Sequence, residues 1–204
     1  MDLAHPEYGL FGEDRSRVLR RLVQLTEPTS GRRIHQLSGV TSLRTTQRLL
    51  DEFVGIGLVT VRSIGAANAY DVNRDHVMWG PIQQALALPA AAELRIAEAL
   101  REIMEKHTVC TALYGGFARG DASHSADVDV LIVWNGNVAQ EARAEILRES
   151  AERIRRITGN EAQLFAITKA VLDRLIARQT TLIKTLQRDA RRLTGADIKR
   201  LIKG

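Results

Sequence analysis

The chain has 204 residues, 45% of them hydrophobic, which is enough for one or two domains with real cores, and Lys and Arg outnumber Asp and Glu by 29 to 24. That balance favours a polyanionic partner. A single cysteine, Cys110, rules out an internal disulfide; the start Met-Asp-Leu-Ala-His-Pro has neither a basic nor an apolar leader region; and the longest weakly charged stretch, Val77 to Ala92, is broken by Pro81, Gln83, Gln84 and Pro89. The expectation is a soluble, cytoplasmic protein with no membrane partner.

The first predicted helix covers Arg15 to Thr26, with Val18, Leu22 and Leu25 on one face. Glu27-Pro-Thr-Ser-Gly31 stops it, and Arg32 to Ser38 makes a short second helix with Ile34 and Leu37 inward. Gly39-Val40 turns into Thr41, a plausible N-cap, and a third helix runs from Ser42 to about Gly55 with Leu49, Leu50 and Phe53 buried. Leu58 to Arg62 and Ala69 to Val72 are strand patterns joined by Ser63 to Asn68. This zone is basic: between Arg15 and Arg48 eight arginines stand against Glu27 alone.

The order helix, helix, turn, helix, hairpin resembles the winged helix-turn-helix domain of bacterial transcriptional regulators. The resemblance implies a third helix in the major groove of double-stranded DNA and a hairpin along the backbone. By position Ser42, Arg44, Thr46, Gln47 and Arg48 are the candidate DNA-binding residues. Arg suits guanine, Gln suits adenine, and Ser and Thr reach phosphates or either base. The competing reading is a small helical domain with a solvated basic face that docks on the other domain or on a protein.

Asn73 to Pro81 reads as a domain boundary carrying Val77, Met78 and Trp79, candidates for a homodimer interface. Ala90 to His107 is a strong helix pattern, with Leu94, Ala97, Leu100, Ile103 and Met104 inward, leading into the strand Thr108 to Tyr114. A Gly115-Gly116 turn and a loop follow, then the strand Val128 to Trp134, a helix from about Val138 to Thr158 ended by Gly159-Asn160, and a strand from Glu161 to Thr168. Lys169 to Lys203 reads as helical with a break at Thr194-Gly195. Strands alternating with helices predict a mixed sheet with helices packed on it. The fold class is therefore α+β multidomain, with a winged helix-turn-helix over residues 1–76 and a sheet domain with C-terminal helices over 77–204.

Asp127 and Asp129 stand at i and i+2 at the mouth of an apolar strand, so both carboxylates face one side and can share a hard cation. Before them, the glycine turn lets backbone amides approach a phosphate. Gly115-Gly-Phe-Ala-Arg-Gly120 followed by Asp127-Val-Asp129-Val-Leu-Ile-Val resembles the signature of the nucleotidyltransferase (polymerase beta-like) superfamily, closest to its minimal members and to regulators in which such a domain follows a winged helix. The resemblance implies that Asp127 and Asp129 are catalytic metal ligands for Mg²⁺, that Gly115, Gly116 and Arg119 bind the phosphates of ATP or another nucleoside triphosphate, and that the metals stabilise an in-line displacement.

Two departures weaken that expectation. Gly116 stands where the family has Ser, which removes a hydroxyl contact. Counting from Gly159, Gln163 falls where active members carry a third carboxylate, and an amide cannot act as a base; loss of a general base costs about 10²–10⁴ in rate. Glu161, two residues earlier, is a candidate substitute. His35, His76, His107 and His124 have no metal-ligand spacing to one another or to Cys110, so zinc is not expected. Two functions remain open: a DNA-binding transcriptional regulator with a catalytically weakened nucleotide-binding domain, or an active Mg²⁺-dependent transferase that moves a nucleoside monophosphate to a protein, nucleic acid or small-molecule hydroxyl.

Overall fold

A computed structural model describes residues 1–65, 67–121, 127–136 and 138–203. They form two compact units, one from His5 to Leu88 and the other from Met1–Ala4 together with Pro89 onward. The sequence reading ends the first domain at residue 76; the first unit reaches further because Trp79 and Ile82 are buried in its core. No helix among the described residues is long and apolar enough to cross a membrane.

In the first unit, α1 (Tyr8–Phe11) and α2 (Glu13–Val23) precede the short strand β1 (Thr29–Ser30), α3 (Gly31–Ser38) and α4 (Leu43–Gly55). The strands β2 (Val59–Ile64) and β3 (Ala67–Val72) follow, then α5 (Trp79–Leu86). Side chains write the helix starts. Ser30 Oγ accepts from Arg33 N, and Ser42 Oγ accepts from Thr45 N, each at 3.3 Å. Ser42, not Thr41, is thus the cap of α4. Gly39, left-handed at φ +70°, ends α3, so that the chain turns within four residues into α4. Val18, Leu22, Ile34, Leu50 and Phe53 converge on one core with Tyr70 and Val72 of β3. Leu37, expected inside, is 37% exposed. The sheet order is β1-β3-β2, both pairs antiparallel.

The second unit begins with α6 (Leu88–Met104), a 3₁₀ turn at Glu105–His107 and β4 (Thr108–Tyr114). Next come α7 (Gly115–Arg119), β5 (Val128–Trp134), α8 (Gln140–Thr158) and β6 (Ala162–Thr168). Helices α9 (Lys169–Ala177) and α10 (Thr181–Asp189), the strand β7 (Arg191–Gly195) and α11 (Ile198–Lys203) complete it. The sheet order is β6-β5-β4-β7, parallel only between β5 and β6. Period-two alternation serves both faces. Val130 and Ile132 pack with Ile96, Leu100 and Ile154, and with Leu3, on one side, while Leu131 and Val133 pack with Leu172, Ile183 and Leu186 on the other.

Two expectations about this unit are corrected. Arg191–Gly195 is an edge strand rather than helix: it pairs with β4 from Cys110↔Gly195 to Leu113↔Arg191, and the Thr194 and Thr111 hydroxyls meet in the interior at 2.8 Å. On α6, Leu94 points outward at 64% exposure and Ile96 takes the inner place at 0%.

Candidate functional site

Strand β4 passes without a loop into α7, and the joint is Gly115 at φ +72°. A Cβ on Gly115 would lie 2.0 Å from Asp129 Oδ2. The glycine is therefore required by Asp129 itself, whatever else its N–H does. In the ladder Asp129 lies opposite Tyr114 of β4 and opposite Gln163 of β6. Gln163 Nε2 donates to Asp127 Oδ2 at 3.0 Å. The residue selected by counting from Gly159 thus sits against the acidic pair as a neutral donor. Glu161, the candidate substitute, is engaged elsewhere, its carboxylate 3.2 Å from Arg155 Nε.

The electrostatics follow from this crowding. Burial first, and then the neighbouring charge of Asp127, push the Asp129 carboxyl above its ordinary range, and Arg119 partly offsets the shift. The Tyr114 hydroxyl is pushed up by burial and then by Asp129. Two carboxylates on one side of a strand, one of them half-buried and uncomfortable as an anion, are a hard-oxygen donor set that suits Mg²⁺. No group of three or more His, Cys, Asp or Glu able to hold a metal occurs among the described residues; His124 lies outside them. Cys110 offers no alternative chemistry, because burial pushes its thiol up to about 11.

Arg119, expected at the phosphate site, is partnered within the protein. Its Nε donates to Asp121 Oδ2 at 2.8 Å and its Nη1 to Asp189 Oδ2 at 2.9 Å, which raises its pKa, Asp121 contributing most. Gly116 sits in the first turn of α7 with its backbone carbonyl accepting from Asp121 N at 3.1 Å. Sequence reasoning missed the role of Asp189, which lies about seventy positions from the glycine turn and in no motif, and read Arg188 only as one of the basic residues of the C-terminal helices.

On α4 the five candidate residues separate. Arg44 is exposed and makes no ion pair or hydrogen bond through its side chain among the described residues, and Arg48 is exposed and paired with Glu52. Ser42 is exposed but spends its hydroxyl on the cap. Thr46 has 0% exposure, its hydroxyl bonded to Ser42 O at 3.3 Å and His35 Nδ1 at 3.1 Å, so it belongs to the core and not to the outer face. Gln47 donates to Asp51 Oδ1 at 2.9 Å and to Tyr70 Oη at 2.6 Å, which uses both amide hydrogens. Arg32 and Arg33 on α3 are exposed, without side-chain ion pairs among the described residues, and Arg32 lines a shallow cleft with Leu43, Arg44 and Arg48. Their signal was in the sequence, as part of the arginine run, but the run alone does not say which of its members share a face.

A mixed sheet that carries an acidic pair at the mouth of its central strand, directly beside a glycine strand-to-helix joint, defines a nucleotidyltransferase-like domain. Residues 95–189 match the family described as nucleotidyltransferase domain. No curated protein matches the chain. Among solved structures, a toxin-antitoxin with AMP-PNP is similar at 18% identity over 54% of this chain and 79% of that one, with a TM-score of 0.38. A putative nucleotidyltransferase from Sulfolobus solfataricus is similar at 16% identity over 50% and 83%, with a TM-score of 0.27. The archaeal chromatin protein TrmBL2 is similar at 16% identity over 85% and 71%, with a TM-score of 0.29. Scores this low carry no inference about function.

Proposed function

We propose that this chain is a DNA-binding transcriptional regulator. Its first unit acts as a winged helix-turn-helix, and its nucleotidyltransferase domain binds a nucleoside triphosphate with Mg²⁺ but transfers the nucleoside monophosphate, with release of pyrophosphate, poorly. The observation that carries the weakened transfer is the Gln163 amide on Asp127, where a third carboxylate would complete the site. Asp127 and Asp129 would hold the metal, which when bound neutralises phosphate charge and polarises the phosphoryl group. The chain's own contribution is to orient: Gly115 lets Asp129 stand at the glycine turn, and Gln163 fixes Asp127 without offering a base.

DNA binding is supported by the outward Arg44 and Arg48 beside Arg32, arginines suited to phosphates and guanine edges, with β2 and β3 behind α4 as the wing. Gln47 is not one of the base readers in this reading, since Tyr70 and Asp51 occupy its donors. Fluorescence anisotropy with duplex DNA across a salt series tests it. Arg44→Ala and Arg48→Ala are each expected to weaken binding and to lower the slope of log affinity against log salt by about one. Weak, sequence-indifferent binding that neither substitution changes would sink the DNA-binding reading.

The retained acidic pair favours a second reading, a working transferase for which the first unit recruits the acceptor. Label transfer from an α-labelled triphosphate, abolished by Asp129→Ala, would establish it; absence of transfer to any cellular fraction, with or without DNA, would exclude it.

A further inference from the structure

Asp189 closes α10 and belongs to no motif in the sequence, yet its side chain is 2% exposed. A carboxylate is kept out of water only when it is paired. This one accepts Arg188 through Nε at 2.6 Å and Nη2 at 2.8 Å, and Arg119 through Nη1 at 2.9 Å. The Arg188 hydrogen bonds, followed by those of Arg119, hold its pKa far below the usual carboxylate range. Arg119 stands at the end of the single helical turn that starts on Gly115, about 6 Å along the axis from the glycine pressed against Asp129. Arg119 Nη2 and Arg188 Nη1 have no hydrogen-bond partner among the described residues. A planar guanidinium bound along one edge has its remaining donors aimed in a fixed direction.

We propose that Asp189 is a positioning residue that holds Arg119 and Arg188 as a two-arginine clamp beside the Asp127/Asp129 pair, their free Nη groups taking the phosphates of a nucleoside triphosphate. The clamp rests on the reading that this site binds a nucleotide. It gives Arg119 two duties, tying α7 to α10 and presenting a donor. It also recruits Arg188, whose side chain is 68% exposed, so that its replacement leaves the core intact.

Calorimetric titration of the full-length chain with Mg·ATP and with AMP provides the test. Arg188→Gln is expected to weaken Mg·ATP binding about tenfold, the loss of one charge-assisted hydrogen bond, while AMP binding changes less than about twofold. Asp189→Asn is expected to lose Mg·ATP affinity at least as strongly, and Asp189→Glu to recover part of it. If Arg188→Gln and Asp189→Asn bind Mg·ATP like the wild type, the clamp is wrong and the nucleotide site stands. Equal losses for ATP and AMP in Asp189→Asn, with Arg188→Gln silent, would make the cluster a structural tie and overturn the proposal. A wild-type chain that binds no Mg·ATP removes the nucleotide reading and the clamp with it.

Discussion

Gly115, Gln163 and Asp189 each tie a local property to the chemistry of the acidic pair. At Gly115 the left-handed backbone and the 2.0 Å approach of Asp129 Oδ2 leave no room for a methyl group. Gly115→Ala is expected to destabilise the second unit by about 1–3 kcal/mol, read by urea denaturation. Gln163→Asp supplies the missing base, and label transfer from an α-labelled triphosphate is expected to rise by about 10² or more, the low end of general-base catalysis; an unchanged rate would show that the amide is not what limits transfer. For Asp189 the sign of the pH dependence follows from its lowered pKa. The stability it contributes is fully present above the ordinary Asp value of about 3.9 and fades as pH falls below it. Thermal melts of wild type and Asp189→Asn should therefore differ most at pH 7, and the difference should begin to shrink only as pH falls below about 3.9, with most of it still present at pH 3.

At the scale of elements, α4 decides which of its polar side chains meet solvent. Residues 46, 49, 50 and 53 form its inner stripe, so Thr46 turns inward although its residue type suits DNA. Tyr70 on β3 reaches α4 and takes Gln47. Removing that tie with Tyr70→Phe is expected to cost about 0.5–1.5 kcal/mol of stability, measured by chemical denaturation, because one partly buried hydrogen bond is lost while the ring packing remains. Helix boundaries were largely legible from apolar spacing and stops: α4 ends at Gly55 and α8 at Thr158 as expected. Strand β7 was not, because Arg191 and Arg192 extend the preceding amphipathic pattern and its partner β4 lies about eighty residues earlier. Local spacing cannot report a pairing made that far away.

For the whole molecule, sequence order and structural membership part company at the start of the chain. Met1–Ala4 belong to the second unit, and Leu3, 1% exposed, packs in its core with Ile96 and Leu100. Leu3→Ala is expected to cost about 2–5 kcal/mol, and hydrogen exchange should show the loss of protection in β4, β5 and β6 rather than in α2 to α4. The same reasoning moves the boundary to Leu88, since Trp79 anchors α5 in the first core and so is withdrawn from the suggested dimer face, leaving Val77 at 82% and Met78 at 45% exposure. By itself the sequence determined the strands β4, β5 and β6 and the acidic pair at i and i+2, because period-two alternation and glycine stops are local physics, while the reading of Gln163 in place of a third carboxylate came from the family resemblance. Only the tertiary structure decided that Arg119 is held by a buried Asp189, that Thr46 and Gln47 are occupied, and that Arg191–Gly195 is a strand, because each depends on a partner brought close by packing rather than by spacing along the chain.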